Sequence, residues 1–129
     1  MIKLSVNELK NNKMFMDSLQ KLMKTKEIDA KEKWKLYDVI KECEKSLIKV
    51  DSIIDDLIKK YATDNENGKI SIDQNKLSKD QIQNFNNEYL SIINKDIEIP
   101  LDEKIILNDK AIDNFTVEEL IILGSIISR

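Results

Sequence analysis

The chain has 129 residues, 41% of them apolar and 35% charged, with a formal net charge of −3 and only two Gly and one Pro. That is enough for one domain with a real core, and it is the composition of a helix-rich globular protein, not of a disordered one. No run approaches membrane-spanning length and the N-terminus is too polar for a secretion signal, so the expectation is a single intracellular domain over residues 1–129 with no membrane partner.

Two absences narrow the chemistry. There is no His, which removes the usual neutral-pH general base and the commonest metal ligand. The one Arg is at position 129, so no internal guanidinium can clamp a phosphate or carboxylate in two-pronged fashion. Charge is uneven. Residues 1–35 hold nine Lys and five acids, a balance of +4, and residues 36–129 hold twelve basic residues and nineteen acids, a balance of −7. The basic third interleaves its Lys with acids and has only Phe15 and Trp34 as aromatics, so it reads as a solvated helix face rather than a nucleic-acid patch. The lone Cys43 reads as a small reduced core residue.

In chain order, Ile2 and Leu4 either start a short strand or lead into the first helix. Ser5-Val6-Asn7-Glu8 is a capping box, and Leu9, Met16, Leu19 and Met23 form a helical stripe, predicting helix from Val6 to Lys24. Asp29-Ala30-Lys31-Glu32 has the same capping pattern. From Leu36 the positions Ile40, Cys43, Leu47, Val50, Ile54, Leu57 and Tyr61 follow at alternating steps of four and three, one apolar stripe on a long helix ending at Tyr61. Such a helix of about thirty-two residues is about 48 Å long. A compact domain of this size has a radius of gyration near 14 Å by the usual scaling, so the helix is too long to lie inside a sphere: either the protein is elongated or another subunit covers part of the stripe, and two shorter helices folded back along its halves would cover the whole seam.

Thr63 to Gly68 places oxygen-bearing side chains before a Gly, as a calcium loop does. With Gly68 at the sixth position, however, Thr63 stands first and Gln74 twelfth, where carboxylates are required. The segment reads instead as an Asn-Gly turn entering a strand at Lys69 to Ile72. Ser78-Lys79-Asp80-Gln81 caps a third helix whose stripe is Ile82, Phe85, Tyr89, Ile92 and Ile93. Ile97 to Leu101 alternates as a strand that Pro100 confines to an edge or an end, and Lys104 to Leu107 is a second strand. Asn108 to Asn114 reads as loop. Thr116-Val117-Glu118-Glu119 caps a last helix carrying Val117, Leu120, Ile121, Ile122, Leu123, Ile126 and Ile127, apolar almost all round and so buried on several sides.

No catalytic set emerges. Adjacent carboxylates such as Asp55 and Asp56 point about 100° apart on a helix, Asp51 and Asp55 sit among Lys, and the two Gly residues are 56 positions apart, too far for a phosphate loop. These observations predict no enzyme, no cofactor and no metal.

One arrangement has a parallel. The long Lys/Glu-rich helix ends in Leu57-Ile58-Lys59-Lys60-Tyr61, and Asp64-Asn65-Glu66-Asn67-Gly68-Lys69-Ile70 follows. Then come Asn84-Phe85-Asn86-Asn87-Glu88-Tyr89, Ile97-Glu98-Ile99-Pro100-Leu101 and Val117-Glu118-Glu119-Leu120. In that order, from Lys33 to Ile127, the chain resembles an uncharacterised family of short bacteriophage proteins, a domain of unknown function (sixteen-seventeen). The resemblance implies phage or prophage origin, action in the host cell cytoplasm and no enzyme activity.

The expected fold is α+β, mainly α: a long central helix, two shorter antiparallel helices along it, small β elements and an apolar C-terminal helix. The expected function is non-enzymatic binding, as a homo-oligomer, to a host or phage protein. The target would be a host-defence component or its nucleotide-derived signal molecule, with a tail-assembly or virion accessory role as the alternative. The expected oligomer or partner contacts are Trp34, Leu120, Ile121, Ile122 and Ile126.

Overall fold

A computed structural model describes residues 1–128. Its axis is helix α3, Ala30–Lys60, of 31 residues. Before it come strand β1 (Ile2–Ser5), helix α1 (Val6–Lys10) and helix α2 (Lys13–Lys24). After it come the hairpin β2 (Asp64–Glu66) and β3 (Lys69–Ser71), a 3₁₀ turn at Gln74–Lys76 and helix α4 (Lys79–Ile93). Then follow β4 (Asp96–Ile99), β5 (Ile105–Ile106), α5 (Asp109–Ile112), α6 (Val117–Ile122), a 3₁₀ turn at Leu123–Ser125, and β6 (Ile127–Ser128). The fold is α+β and mainly α, as expected. Among the described residues no helix is long and apolar enough to cross a membrane.

Three of the four capping boxes form. Ser5 with Glu8, Ser78 with Gln81 and Thr116 with Glu119 each exchange side-chain and backbone bonds at a helix start. The fourth does not. Asp29 makes no side-chain cap, because Glu32 turns inward instead: its carboxylate accepts the Ile106 backbone N–H at 2.9 Å, with Lys35 Nζ 3.3 Å away. That N–H lies on the side of β5 away from β6, and under cover it needs an acceptor.

Three further expectations are corrected. The helix over Val6 to Lys24 is two helices, broken at Asn11-Asn12. The Asn11 side chain donates back to Asn7 Oδ1 at 2.6 Å, the local competition with the helix ladder that makes Asn a poor helix former. The break lets Val6 serve one core and Phe15, Leu19 and Leu22 another. The stretch Asn108–Asn114 is not all loop: Asn108 Oδ1 accepts from Ala111 N at 2.9 Å and starts α5. The last helix ends at Ile122 rather than running through Ile127. Gly124 and Ser125 are weak helix formers, and β-branched Ile127 suits extended chain. Ile126 and Ser128 carbonyls then accept from Ile105 N at 2.8 Å and Leu107 N at 2.9 Å, in a parallel pair.

The apolar stripe of α3 is closed within the chain. Leu36 and Cys43 are fully buried, Ile40, Val50, Ile54 and Leu57 nearly so, and Leu47 and Tyr61 are half-buried. The idea that this seam needs another subunit to cover it is therefore withdrawn. Helices α1 and α2, the antiparallel pair β1–β4 (Ile2↔Ile99, Leu4↔Ile97) and the β5–β6 layer cover its first half. Helix α4 runs antiparallel along the second half: Ile93 packs with Val50 and Ile54, while Phe85 meets Tyr61 edge-on at 5.5 Å between ring centroids.

Candidate partner-contact surfaces

Three apolar surfaces remain open. The first is a shelf where α2 hands over to α3. Trp34 is 73% exposed and Tyr37, almost one turn on, is 53% exposed; Met23, Ala30 and Lys33 complete it. Both aromatics stand off the apolar stripe, on the solvent side of a helix. Lys24, Lys26, Lys31 and Lys33 lie nearby in sequence and make no ion pair among the described residues.

The second is a ridge on α6. Val117 and Ile121, one turn apart, are each 70% exposed, with exposed Glu118 between them. The remaining residues expected to make partner contacts divide differently. Leu120 and Ile126 belong to the core and Ile122 is half-buried against it, so of the five only Trp34 and Ile121 stand fully in solvent. Helix α6 is tied to α2 by Lys21, whose ammonium is 2.8 Å from Glu119 and 5.0 Å from the centre of the Phe115 ring. Lys21 foremost, then the Thr116 backbone, holds the Glu119 carboxyl below its ordinary range.

The third is a groove of about 340 Å³ at the far end of α3. Half-exposed Ile58 from α3, Ile70 and Ile72 from the hairpin, Leu77, and Ile82 and Phe85 from α4 form its apolar wall. The hairpin turns on Asn67 (φ 52°) and Gly68 (φ 81°), consecutive left-handed residues as a tight hairpin turn requires. Asp64, next to the turn, is held within the chain: Lys76 pairs with it and the Thr63 hydroxyl donates to it at 3.0 Å. Lys76 first, then Thr63, lowers its carboxyl. Outside the groove Lys60 bonds Glu88 at 2.8 Å, tying α3 to α4; Lys60 and then Tyr61 hold the Glu88 carboxyl low.

Burial foremost, then Glu42 and Glu44, pushes the Cys43 thiol up to about 12, which removes it as a nucleophile. Among the described residues no group of three or more Cys, Asp or Glu is placed to hold a metal ion. Lys21, Lys24 and Lys26 rim a shallow hollow with Thr25, Glu27 and Asn114, the arrangement nearest to an anion site. Trp34 was legible in the sequence as an aromatic outside the stripe, and Tyr37 carried the same signal. The groove was not legible as such, because Ile82 and Phe85 follow a normal core stripe and only the fold shows that nothing caps them. No family model matches the chain, and neither a curated protein nor a solved structure matches it.

Proposed function

We propose that this is a non-enzymatic binding protein of bacteriophage origin that acts stoichiometrically, as an oligomer, on a host-defence component or its signal molecule. The observation that carries the reading is the far groove. Six partly exposed apolar side chains from α3, the hairpin, the turn after it and α4 converge there. A groove of this kind accepts an apolar helix face or an extended segment of a partner, with alternate side chains supplying the grip. The viral and cytoplasmic parts of the reading rest on the resemblance from Lys33 to Ile127. A tail-assembly or virion accessory role is the second reading. It is favoured by the separation of the shelf and the groove, roughly 36 Å along α3 from Trp34 to Ile58 at 1.5 Å per residue, the layout of a bridging component.

The test is affinity capture with the full chain from uninfected and infected host lysates, read by mass spectrometry for proteins and nucleotides. Phe85→Glu, which places a charge in the groove, is the matched control. One host protein held in fixed ratio by the native chain and lost with Phe85→Glu supports the inhibitor reading. Retention of a phage structural protein instead supports the assembly reading. Equal retention by the native chain and Phe85→Glu refutes the groove as the contact.

A further inference from the structure

We propose that Asn67–Gly68 is a spontaneous deamidation site, and that its isoaspartyl product dismantles the hairpin wall of the far groove. Of the chain's Asn residues only Asn67 precedes a Gly. The reaction begins when the next residue's backbone nitrogen attacks the side-chain amide, and a side chain on that residue would stand in the way. The place is also open. Both residues are exposed, and a Cβ built on Gly68 would meet nothing within 4 Å. Among the described residues neither the Asn67 side chain nor the Gly68 N–H enters a hydrogen bond. Other Asn residues are held. The Asn108 and Asn114 side chains are bonded around α5, and the nitrogens that follow Asn84, Asn86 and Asn87 belong to the α4 ladder.

Hydroxide removes the Gly68 amide proton, the nitrogen attacks Asn67 Cγ, and the Cγ–Nδ2 bond breaks. Nδ2 takes a proton from water and leaves as ammonia, and a cyclic imide remains. Water then opens the ring at either carbonyl. Opening at Cγ gives an aspartyl residue. Opening at the main-chain carbonyl gives an isoaspartyl residue, with the backbone rerouted through Cβ and Cγ. The net change consumes water and releases ammonia, and nothing is oxidised or reduced. Ring closure needs Asn67 to leave its left-handed turn geometry (φ 52°). A hairpin of three-residue strands that pairs with no other strand permits that excursion at small cost.

The two products affect the groove differently. The aspartyl product keeps an Asp-Gly turn and adds a negative charge to a hairpin that already carries Asp64 and Glu66. The isoaspartyl product adds a backbone carbon to the two-residue connection between the paired Glu66 and Lys69. A tight turn has no slack for it, so the pairing of Asn65 with Ile70 and of Asp64 with Ser71 slips. Ile70 and Ile72, the hairpin side of the groove, then lose their place. The chemistry needs nothing bound in the groove, so it stands or falls apart from the proposed function.

Ageing the native chain at mildly alkaline pH, followed by proteolysis and mass spectrometry, tests the proposal. The peptide spanning Asn67 should gain about 1 Da, OH for NH2, before any other Asn peptide, at a rate that rises with hydroxide. A protease that cuts before Asp tells the products apart, because it passes over the isoaspartyl form. The isoaspartyl fraction, isolated by hydrophobic-interaction chromatography, should lose amide-exchange protection in β2 and β3 and keep it along the first half of α3. Asn67→Gly leaves a Gly-Gly turn without the reactive amide and should keep its hairpin through the same treatment. Loss of the hairpin there as well would trace the damage to another cause and overturn the proposal. Survival of Asn67 for as long as Asn86 and Asn87 overturns it too, as does an isoaspartyl fraction whose hairpin protection matches that of fresh chain.

Discussion

The two halves of α3 are built differently. Around the first half, α1, α2, the β1–β4 pair and the β5–β6 layer converge, and Leu19, Leu22, Leu36, Cys43, Ile105, Leu123 and Ile126 lose essentially all exposure. Around the second half stand α4 and a three-residue-stranded hairpin, and the buried cluster shrinks to Val6, Val50, Ile54 and Ile93, with Leu57 buried beyond it. There exposed ion pairs, Lys60–Glu88 and Lys76–Asp64, hold what packing does not. Exposed pairs of this kind contribute little each. One helix thus joins a stable hub to a lightly held arm, and low local stability is the usual condition of a segment that must adapt to a partner.

The sharpest way to break this comparison is to truncate both ends. Leu36→Ala in the hub should cost about 2–5 kcal/mol, as fully buried Leu positions do, while Ile82→Ala in the arm should cost about 1 kcal/mol because it is only partly buried. Urea midpoints of the two variants would measure the gap; equal losses would mean the two halves share one level of stability. Thiol labelling sharpens the same point. Cys43 is buried with its thiol pushed up to about 12, so it should label only as fast as the chain unfolds globally, whereas an Ile82→Cys thiol should label orders of magnitude sooner.

Glu32 gives the next largest effect. Glu32→Ala leaves the Ile106 N–H without its acceptor and Lys35 without its partner under cover, and should cost about 1–3 kcal/mol. Glu32→Gln keeps an acceptor oxygen and should recover most of that loss. Equal destabilisation by the two would assign the role to charge, not to the hydrogen bond.

Glu32 also marks where the sequence stops being informative. Local signals came through: the 31-residue helix, three capping boxes, the Asn-Gly hairpin and the end of β4 at Pro100 all follow from spacing and turn chemistry within a few residues. The misses are long-range. Glu32 looks like a cap until Ile106, 74 positions away, claims it. Ile126 and Ile127 look helical until Ile105 and Leu107 need acceptors. For the contact surfaces, Trp34 was readable because a large aromatic off the stripe is anomalous by itself. Leu120 and Ile126 misled because apolar residues at a terminus carry no mark of which way they face.

A smaller effect, opposite in sign, tests how completely the hub is satisfied. Ser18 is buried on α2 and its hydroxyl has no hydrogen-bond partner. Replacing an unpartnered buried hydroxyl by a methyl removes a desolvation penalty and raises helix propensity, so Ser18→Ala should stabilise the chain by up to about 1 kcal/mol. A loss of stability would mean the hydroxyl is bonded in solution.

Acid offers the finest discrimination between hub and arm. Lys60 and then Tyr61 hold the Glu88 carboxyl low; Lys76 and then Thr63 do the same for Asp64. A carboxyl depressed on folding stabilises the folded chain above the ordinary carboxylate range, and that contribution fades as pH falls through its folded value. Both groups are on the arm, and the hub's comparable group is Glu119, which ties α6 to α2. Amide exchange followed downward in pH, corrected for its intrinsic pH dependence, should therefore lose protection first in α4 and the hairpin, next near α6, and last along the first half of α3. Lys60→Met removes the Glu88 partner and should bring the α4 loss to higher pH without moving the rest. Simultaneous loss everywhere would show that the arm unfolds only with the hub, and that the exposed pairs do not set its stability.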